Sequence, residues 1–174
     1  MKIKGPQACP KHHLHNFLEP LRSLHVLISN RAKGFRLSHL KTTMCRLAEM
    51  VVCEEGRNYD EVSISFVGQK EMCRLHELYF DDPSPTDCIS FPLDNGEESE
   101  YTVLGEVVIM PATAARWSKS HGTDFWRELA LYIIHGLLHL LGYDDRDRRT
   151  RSQMRAKEKK YLRLATKKGC MLHG

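Results

Sequence analysis

The stretch TDFWRELALYIIHGLLHLLGYDD, Thr123–Asp145, decides how the rest of this chain is read. Its first nineteen residues predict one helix, Thr123 to Leu141, carrying Phe125, Trp126, Leu129, Ile133, Ile134, Leu137, Leu138 and Leu141. His135 and His139 are four apart, so both imidazoles project from the same face. Gly142 permits the helix to end and the chain to reverse. Asp145 follows three residues later, where a carboxylate can swing back toward the two histidines.

That pattern, H-x3-H-x5-D, suits a first-row metal. Two imidazole nitrogens at ~2.0–2.1 Å and one carboxylate oxygen make three protein ligands and leave a fourth position for water. An open position marks a catalytic rather than a structural site, and zinc there would lower the pKa of its water toward ~7. The plainer alternative is a pair of core histidines, each hydrogen-bonded nearby. Two imidazoles in so apolar a helix are costly unless both find partners, which favours the metal reading: one Zn²⁺ on His135, His139 and Asp145, with neighbouring Asp144 as the competing ligand. The spacing also matches the zinc-peptidase pattern H-E-x-x-H, but Gly136 stands where the general-base Glu belongs. No residue in the pattern identifies itself as a general acid or base.

Outward from this helix, LHVLIS (24–29) reads as a strand. A helix follows, with Ser38 as N-cap, the stripe Leu40, Met44, Leu47, Ala48, Val51, and Gly56 as the stop. EVSISFV (61–67) alternates as a strand, with Val62, Ile64 and Phe66 on one face. Residues 70–80 predict an amphipathic helix (Met72, Leu75, Tyr79). DDPSPTD (81–87) is turn chemistry leading into the strand CISFPL (88–93), DNGEESE (94–100) is an acidic turn or hairpin loop, and LGEVVIM (104–110) is a further strand. The remainder is helical: 111–120, 123–141 and about 147–165. Four strands and four to five helices in this order predict a single α+β domain of mixed layers over residues 1–174.

The chain has 174 residues and a formal charge of +4. Its composition, 41% hydrophobic and 28% charged, excludes disorder and collagen-like repeats. No apolar run approaches the ~18–20 residues that span a bilayer. MKIKGPQACPKHHLHNF (1–17) has no apolar core of a secretory signal, so a soluble, cytoplasmic protein is expected. Residues 1–20 read as a flexible arm, including the His12, His13, His15 tract. Six scattered cysteines without a C-x-x-C pair are expected to be reduced and mostly buried, with Cys45 and Cys53 both facing the core.

The charge is uneven. From Arg146 to Lys168 there are 11 basic and 2 acidic residues, a local +9, while the rest carries 15 basic against 20 acidic. On a helix over 146–168, Met154, Tyr161, Leu162 and Ala165 share one arc and face the body. Arg148, Arg149, Arg155, Lys159, Lys160 and Arg163 fall broadly opposite. Such a face is either simply solvated or an RNA-contacting surface; its near lack of acidic residues, directly after the metal pattern, favours RNA.

HGLLHLLGYDD (135–145) resembles the HGxLHLxGYDH signature of the YbeY family of bacterial rRNA-maturation endoribonucleases. PTDCISFP (85–92) is similar to that family's PT(D/N)VLSFP segment, and LGEVVI (104–109) to its LGDIVI strand, in the same order and spacing. The resemblance implies a zinc-dependent, single-strand-specific endoribonuclease acting on the 16S rRNA 3′ end and in ribosome quality control, with rRNA and the small ribosomal subunit as partners. Two departures stand out. The family's third ligand is His where this chain has Asp145, an acceptable zinc ligand that adds a negative charge. The family's L-N-x-x-Y-R segment is here Leu75-His76-Glu77-Leu78-Tyr79-Phe80, so an Arg able to clamp a phosphate is replaced by Phe80. A second expectation follows from that loss: a ribosome- or RNA-binding assembly factor that keeps the metal but has weakened catalysis. Asp87 is expected either to fix a turn or to reach the metal site behind the ligands.

Overall fold

In the computed structural model, the described residues are 23–37, 40–93 and 100–174. The arm at 1–20 with its three histidines, the Ser38 cap and most of the acidic loop (94–99) lie outside them. The elements run β1 His25–Asn30, α1 Lys41–Glu54, β2 Glu61–Phe66, α2 Gln69–Phe80, β3 Cys88–Pro92, β4 Val103–Ile109, α3 Pro111–His121, α4 Phe125–Leu140 and α5 Arg148–Lys167. All four strands and all five helices fall within a few residues of their sequence-based positions. The N-cap position of α1 is Leu40, with no side-chain cap.

The strands form one sheet in the order β1-β2-β4-β3. β1, β2 and β4 are parallel, β1 joined to β2 through α1 and β2 to β4 through α2 and β3, and β3 runs antiparallel to β4 at one edge. Alternation along β4 splits the core. Leu104, Val107 and Ile109 belong to the large cluster with α1, α4 and α5. Val108 turns the other way and packs with Met72 of α2, Ile89 and Met110. The period-2 pattern holds over Val107–Ile109, while Leu104, three residues before Val107, joins the same cluster because the pairing of β4 with β2 slips by one residue between Val103 and Glu106.

The apolar stretch of the opening helix is explained by its place. α4 packs on β3 and β4 and is flanked by α1, α3 and α5, so Leu129, Ile133, Ile134, Leu137 and Leu138 are all fully buried. Gly136 sits at the tightest point. A Cβ there would lie 2.2 Å from Val107 Cγ1, and its carbonyl accepts a 3.0 Å bond from Ser90 Oγ. The absence of a side chain lets the helix touch the sheet.

Two expectations change. Among the described cysteines only Cys170 is buried; Cys45, Cys73 and Cys88 are half-buried and Cys53 is exposed. Cys53 is eight residues from Cys45, a little over two turns, and the accumulated rotation carries it off the buried stripe of Met44, Leu47 and Val51. Tyr79, read as part of α2's apolar stripe, is also exposed; Met72 alone of that helix is buried.

Candidate metal centre

α4 delivers the two histidines one turn apart on the side where the helix ends. His135 Nε2 and His139 Nε2 lie 3.0 Å from each other, and Asp145 Oδ1 lies 4.0 Å from His139 Nε2. One donor atom from each of the three falls within 4.8 Å of the others. The chain turns back as expected: Gly142 has φ +93°, a conformation that costs an L side chain strain, and the N–H groups of Gly142 and Tyr143 close the helix on the carbonyls of His139 and Leu138. Asp147 then caps α5, accepting from the N–H groups of Arg149 and Thr150. The segment carrying Asp145 is fixed at both ends.

The other ring nitrogen of each histidine is already engaged. His139 Nδ1 is 3.0 Å from the carbonyl oxygen of Tyr143. A carbonyl can only accept, so Nδ1 carries the proton and the lone pair of the neutral ring is on Nε2. His135 Nδ1 is 2.7 Å from Glu158 Oε1, whose carboxylate sets the same tautomer. Both lone pairs therefore point at each other across 3.0 Å with a carboxylate beside them, an arrangement that calls for a cation or proton between them. Two nitrogens on a tetrahedral ion with ~2.0–2.1 Å bonds sit about 3.3 Å apart, so the donor set fits a first-row divalent ion.

The electrostatics agree. Burial pushes the His135 pKa down, but the hydrogen bond and charge of Glu158, with Asp87 and Asp145 nearby, outweigh it and leave it raised. His139 is lowered by burial and by neighbouring His135, against the opposing Tyr143 carbonyl and Asp145.

Asp144, the competing ligand, is otherwise occupied. Its Oδ1 accepts from the N–H groups of Asp145 and Arg146 and lies 3.6 Å from Arg146 Nε. Asp87 fills the first of its two expected roles, fixing the turn. Its Oδ1 accepts from Cys88 N–H at 2.8 Å, and it lines the same cleft as His135 and Asp145.

The six basic residues of α5 singled out in the sequence are all exposed, but they do not converge. Arg155 lines the cleft beside His135 and Asp145. Lys159, Lys160 and Arg163 border a separate depression with Glu54, and Arg148 and Arg149 lie in the first turn of the helix. Arg151, not singled out from the sequence, reaches the cleft, its guanidinium donating to the carbonyls of Asp145 and Arg146. Phe80 and His76 line a second cleft that also contains His135, His139 and Asp145.

Sequence reasoning missed two supports. Glu158 is one of only two acids in the basic segment, and that isolation was its only signal. Glu55 anchors the helix end from behind: its carboxylate accepts from Tyr143 Oη at 2.6 Å, from Lys157 Nζ at 2.7 Å and from Tyr161 Oη. Nothing local marks Glu55, because all its partners lie 88 to 106 residues away.

Together, a mixed sheet crossed by a helix that presents two imidazoles and a carboxylate to an open cleft defines an α+β protein with a candidate metal centre of the hydrolytic type. A family model described as "Endoribonuclease YbeY" matches residues 27–166, and the chain belongs to the YbeY family. It is 43% identical over 120 residues to the endoribonuclease YbeY of Protochlamydia amoebophila, covering 69% of this chain and 80% of that protein. It is 35% identical over 154 residues to that of Chlamydia felis, covering 84% and 94%. The solution structure of TM1509 from Thermotoga maritima is similar at TM-score 0.56 and 30% identity, over 79% of this chain and 86% of that one. Among the described residues no helix is long and apolar enough to cross a membrane.

Proposed function

We propose that this protein is a zinc-dependent, single-strand-specific endoribonuclease that matures rRNA at the 16S 3′ end, works in ribosome quality control and acts in the cytoplasm on the small subunit. The observation that carries the reading is the pair of Nε2 lone pairs 3.0 Å apart, held there by Glu158 and the Tyr143 carbonyl, with Asp145 at their side. His135, His139 and Asp145 would hold the ion. When bound, it supplies Lewis acidity and an activated water to a phosphodiester.

The protein's own part is positioning. Glu158 keeps the His135 ring in one tautomer, and the Tyr143 carbonyl does the same for His139. Arg155 and Arg151 line the cleft beside His135 and Asp145 among the carboxylates of Asp87, Glu128 and Glu158, and would supply the positive charge that meets a phosphate backbone there. Gly136 supports hydrolysis of RNA rather than peptides: no Glu fits against Val107, so a peptidase's proton acceptor has no room at that position.

Phe80 favours one further reading, an assembly factor that binds RNA and metal with weakened catalysis, since no guanidinium stands at the end of α2. Metal-loaded protein with single-stranded rRNA fragments separates the two. Cleavage abolished by chelation and by His139→Ala supports the nuclease. RNA binding without turnover, retained after metal removal, supports the assembly factor. Cleavage that survives chelation refutes the metal mechanism.

A further inference from the structure

Two clefts reach the candidate metal group from different elements. One, about 660 Å³, lies between the end of α2, β3 and the turn after α4, and contains Phe80. The other, about 330 Å³, lies between α3, α4 and α5, and contains Trp117, Arg151 and Arg155. His135 and Asp145 belong to both. Each cleft therefore offers one well-exposed aromatic ring on its own side of the same pair of donors, Tyr132 and Tyr143 being less exposed.

Both rings are out of the core. Phe80 is 55% exposed and Trp117 47% exposed, although either could contribute a large buried apolar area in a chain of this size. Both are also held in place. Trp117 stacks on His121 at 3.7 Å between ring centroids and 15° between planes, which covers one face and leaves the other for a partner. Phe80 closes α2, directly before Asp81 in the left-handed conformation. It packs against His76, whose Nδ1 is tied 2.8 Å from the Ser84 carbonyl oxygen. Ordered, half-exposed rings beside cations are the make-up of a surface that stacks unpaired bases while its charges follow the backbone. Arg155 makes no ion pair or side-chain hydrogen bond with the described residues and is free to meet a phosphate beside Trp117.

We propose that Phe80 and Trp117 are stacking platforms for two unpaired bases on either side of the phosphodiester at His135, His139 and Asp145, with Arg155 on the backbone next to Trp117. The proposal rests on the endoribonuclease reading and deepens it by naming the residues that select single strands. A base in a duplex has both faces covered by its neighbours and offers nothing to either ring. On this account Phe80 does not leave a gap where a guanidinium is expected; it exchanges a phosphate contact for a base contact. Every nucleobase has a π face, so the selection is for strandedness rather than sequence.

The test uses metal-loaded protein and a 12-nucleotide 2′-O-methyl RNA carrying a fluorophore, its integrity checked by gel after each titration. Binding is followed by anisotropy, and an unlabelled copy is used to follow Trp emission. The single strand is expected to bind and to quench Trp emission, and the quench is expected to vanish in Trp117→Phe while binding is kept, since Phe also stacks. Phe80→Ala and Trp117→Ala should each weaken binding about 5- to 100-fold, with unchanged melting temperatures, and Phe80→Tyr should restore it. The matching duplex should neither quench nor lose affinity in the alanine variants. Wild-type affinity in both alanine variants, or binding without a quench that depends on Trp117, overturns the platforms alone. No binding by the wild-type protein overturns the endoribonuclease reading as well.

Discussion

Glu158 and His135 meet through a 2.7 Å hydrogen bond between helices 23 residues apart in sequence, with both side chains largely shielded from solvent. The bond makes α5 more than a cover for α4. It settles which nitrogen of His135 faces Asp145 and His139, and it gives the most direct test of the centre. If the carboxylate serves to orient and strengthen a ligand, Glu158→Gln and Glu158→Ala should lose about 10- to 100-fold in metal affinity with the fold intact. Competition against a chromogenic chelator measures this, and unchanged affinity would reduce Glu158 to a packing residue.

Ligand identity is checked by metal content. Wild-type protein is expected to carry one zinc per chain and His135→Ala none. Asp145→Ala should be severely depleted, whereas Asp144→Ala should stay loaded, since Asp144 serves the turn through the N–H groups of Asp145 and Arg146. Full loading of Asp145→Ala would move the third ligand elsewhere.

Gly136→Ala forces a methyl to within 2.2 Å of a buried Val107 methyl. Overpacking of this kind costs about 1–3 kcal/mol, and thermal denaturation should show a fall of several degrees. The double variant with Val107→Ala should lose less than the sum of the two singles, because the second change makes room for the first. Additive losses would place the strain somewhere other than this contact.

Glu55 predicts the acid side of the stability curve. Burial pushes its pKa up, but hydrogen bonds from Lys157, Tyr143 and Tyr161 outweigh that and hold it below the usual carboxylate value. A carboxylate with a folded pKa below its unfolded one stabilises fully above the unfolded value, about 4.3. That contribution drains away as the pH falls through the folded value. Glu55→Gln should be less stable than wild type at neutral pH, and the gap should close as the pH falls below the ordinary glutamate range. Urea titrations across this range measure it; a gap independent of pH would contradict the assignment.

Neutralising Arg148, Arg155 and Lys159 tests the basic helix as a whole. If all three meet phosphates, RNA binding weakens and the slope of log affinity against log salt flattens by about 2 for a single strand. Since only Arg155 of these three lines the cleft, a slope change confined to Arg155→Gln would narrow the RNA path to the metal side of α5.

Much of this was legible in the sequence, for identifiable reasons. The strands and helices follow from local periodicity, and the His135, His139 spacing is a property of one helix. The packed arc of α5, Met154, Tyr161, Leu162 and Ala165, is legible because a twenty-residue helix repeats its pattern often enough to show it. Residues acting across the fold were not legible. Glu158 is hidden in a basic run, and Glu55 finds its partners only when α1 meets α5. The exposed Cys53 shows the same limit: one stripe on a helix does not say where its edge lies.

The reach of Glu55 also bears on the order in which the protein is made. Its three partners are Tyr143, Lys157 and Tyr161, the last 106 residues downstream. At about 5–20 residues per second, roughly 5–20 s of synthesis separate the carboxylate from that final partner. Until α5 is out of the ribosome, Glu55 has only Tyr143 of its three partners, and His135 lacks Glu158. The site for the ion is therefore completed only when α5 arrives, so that a nascent or truncated chain lacking α5 holds its two histidines without the frame that makes them a trap.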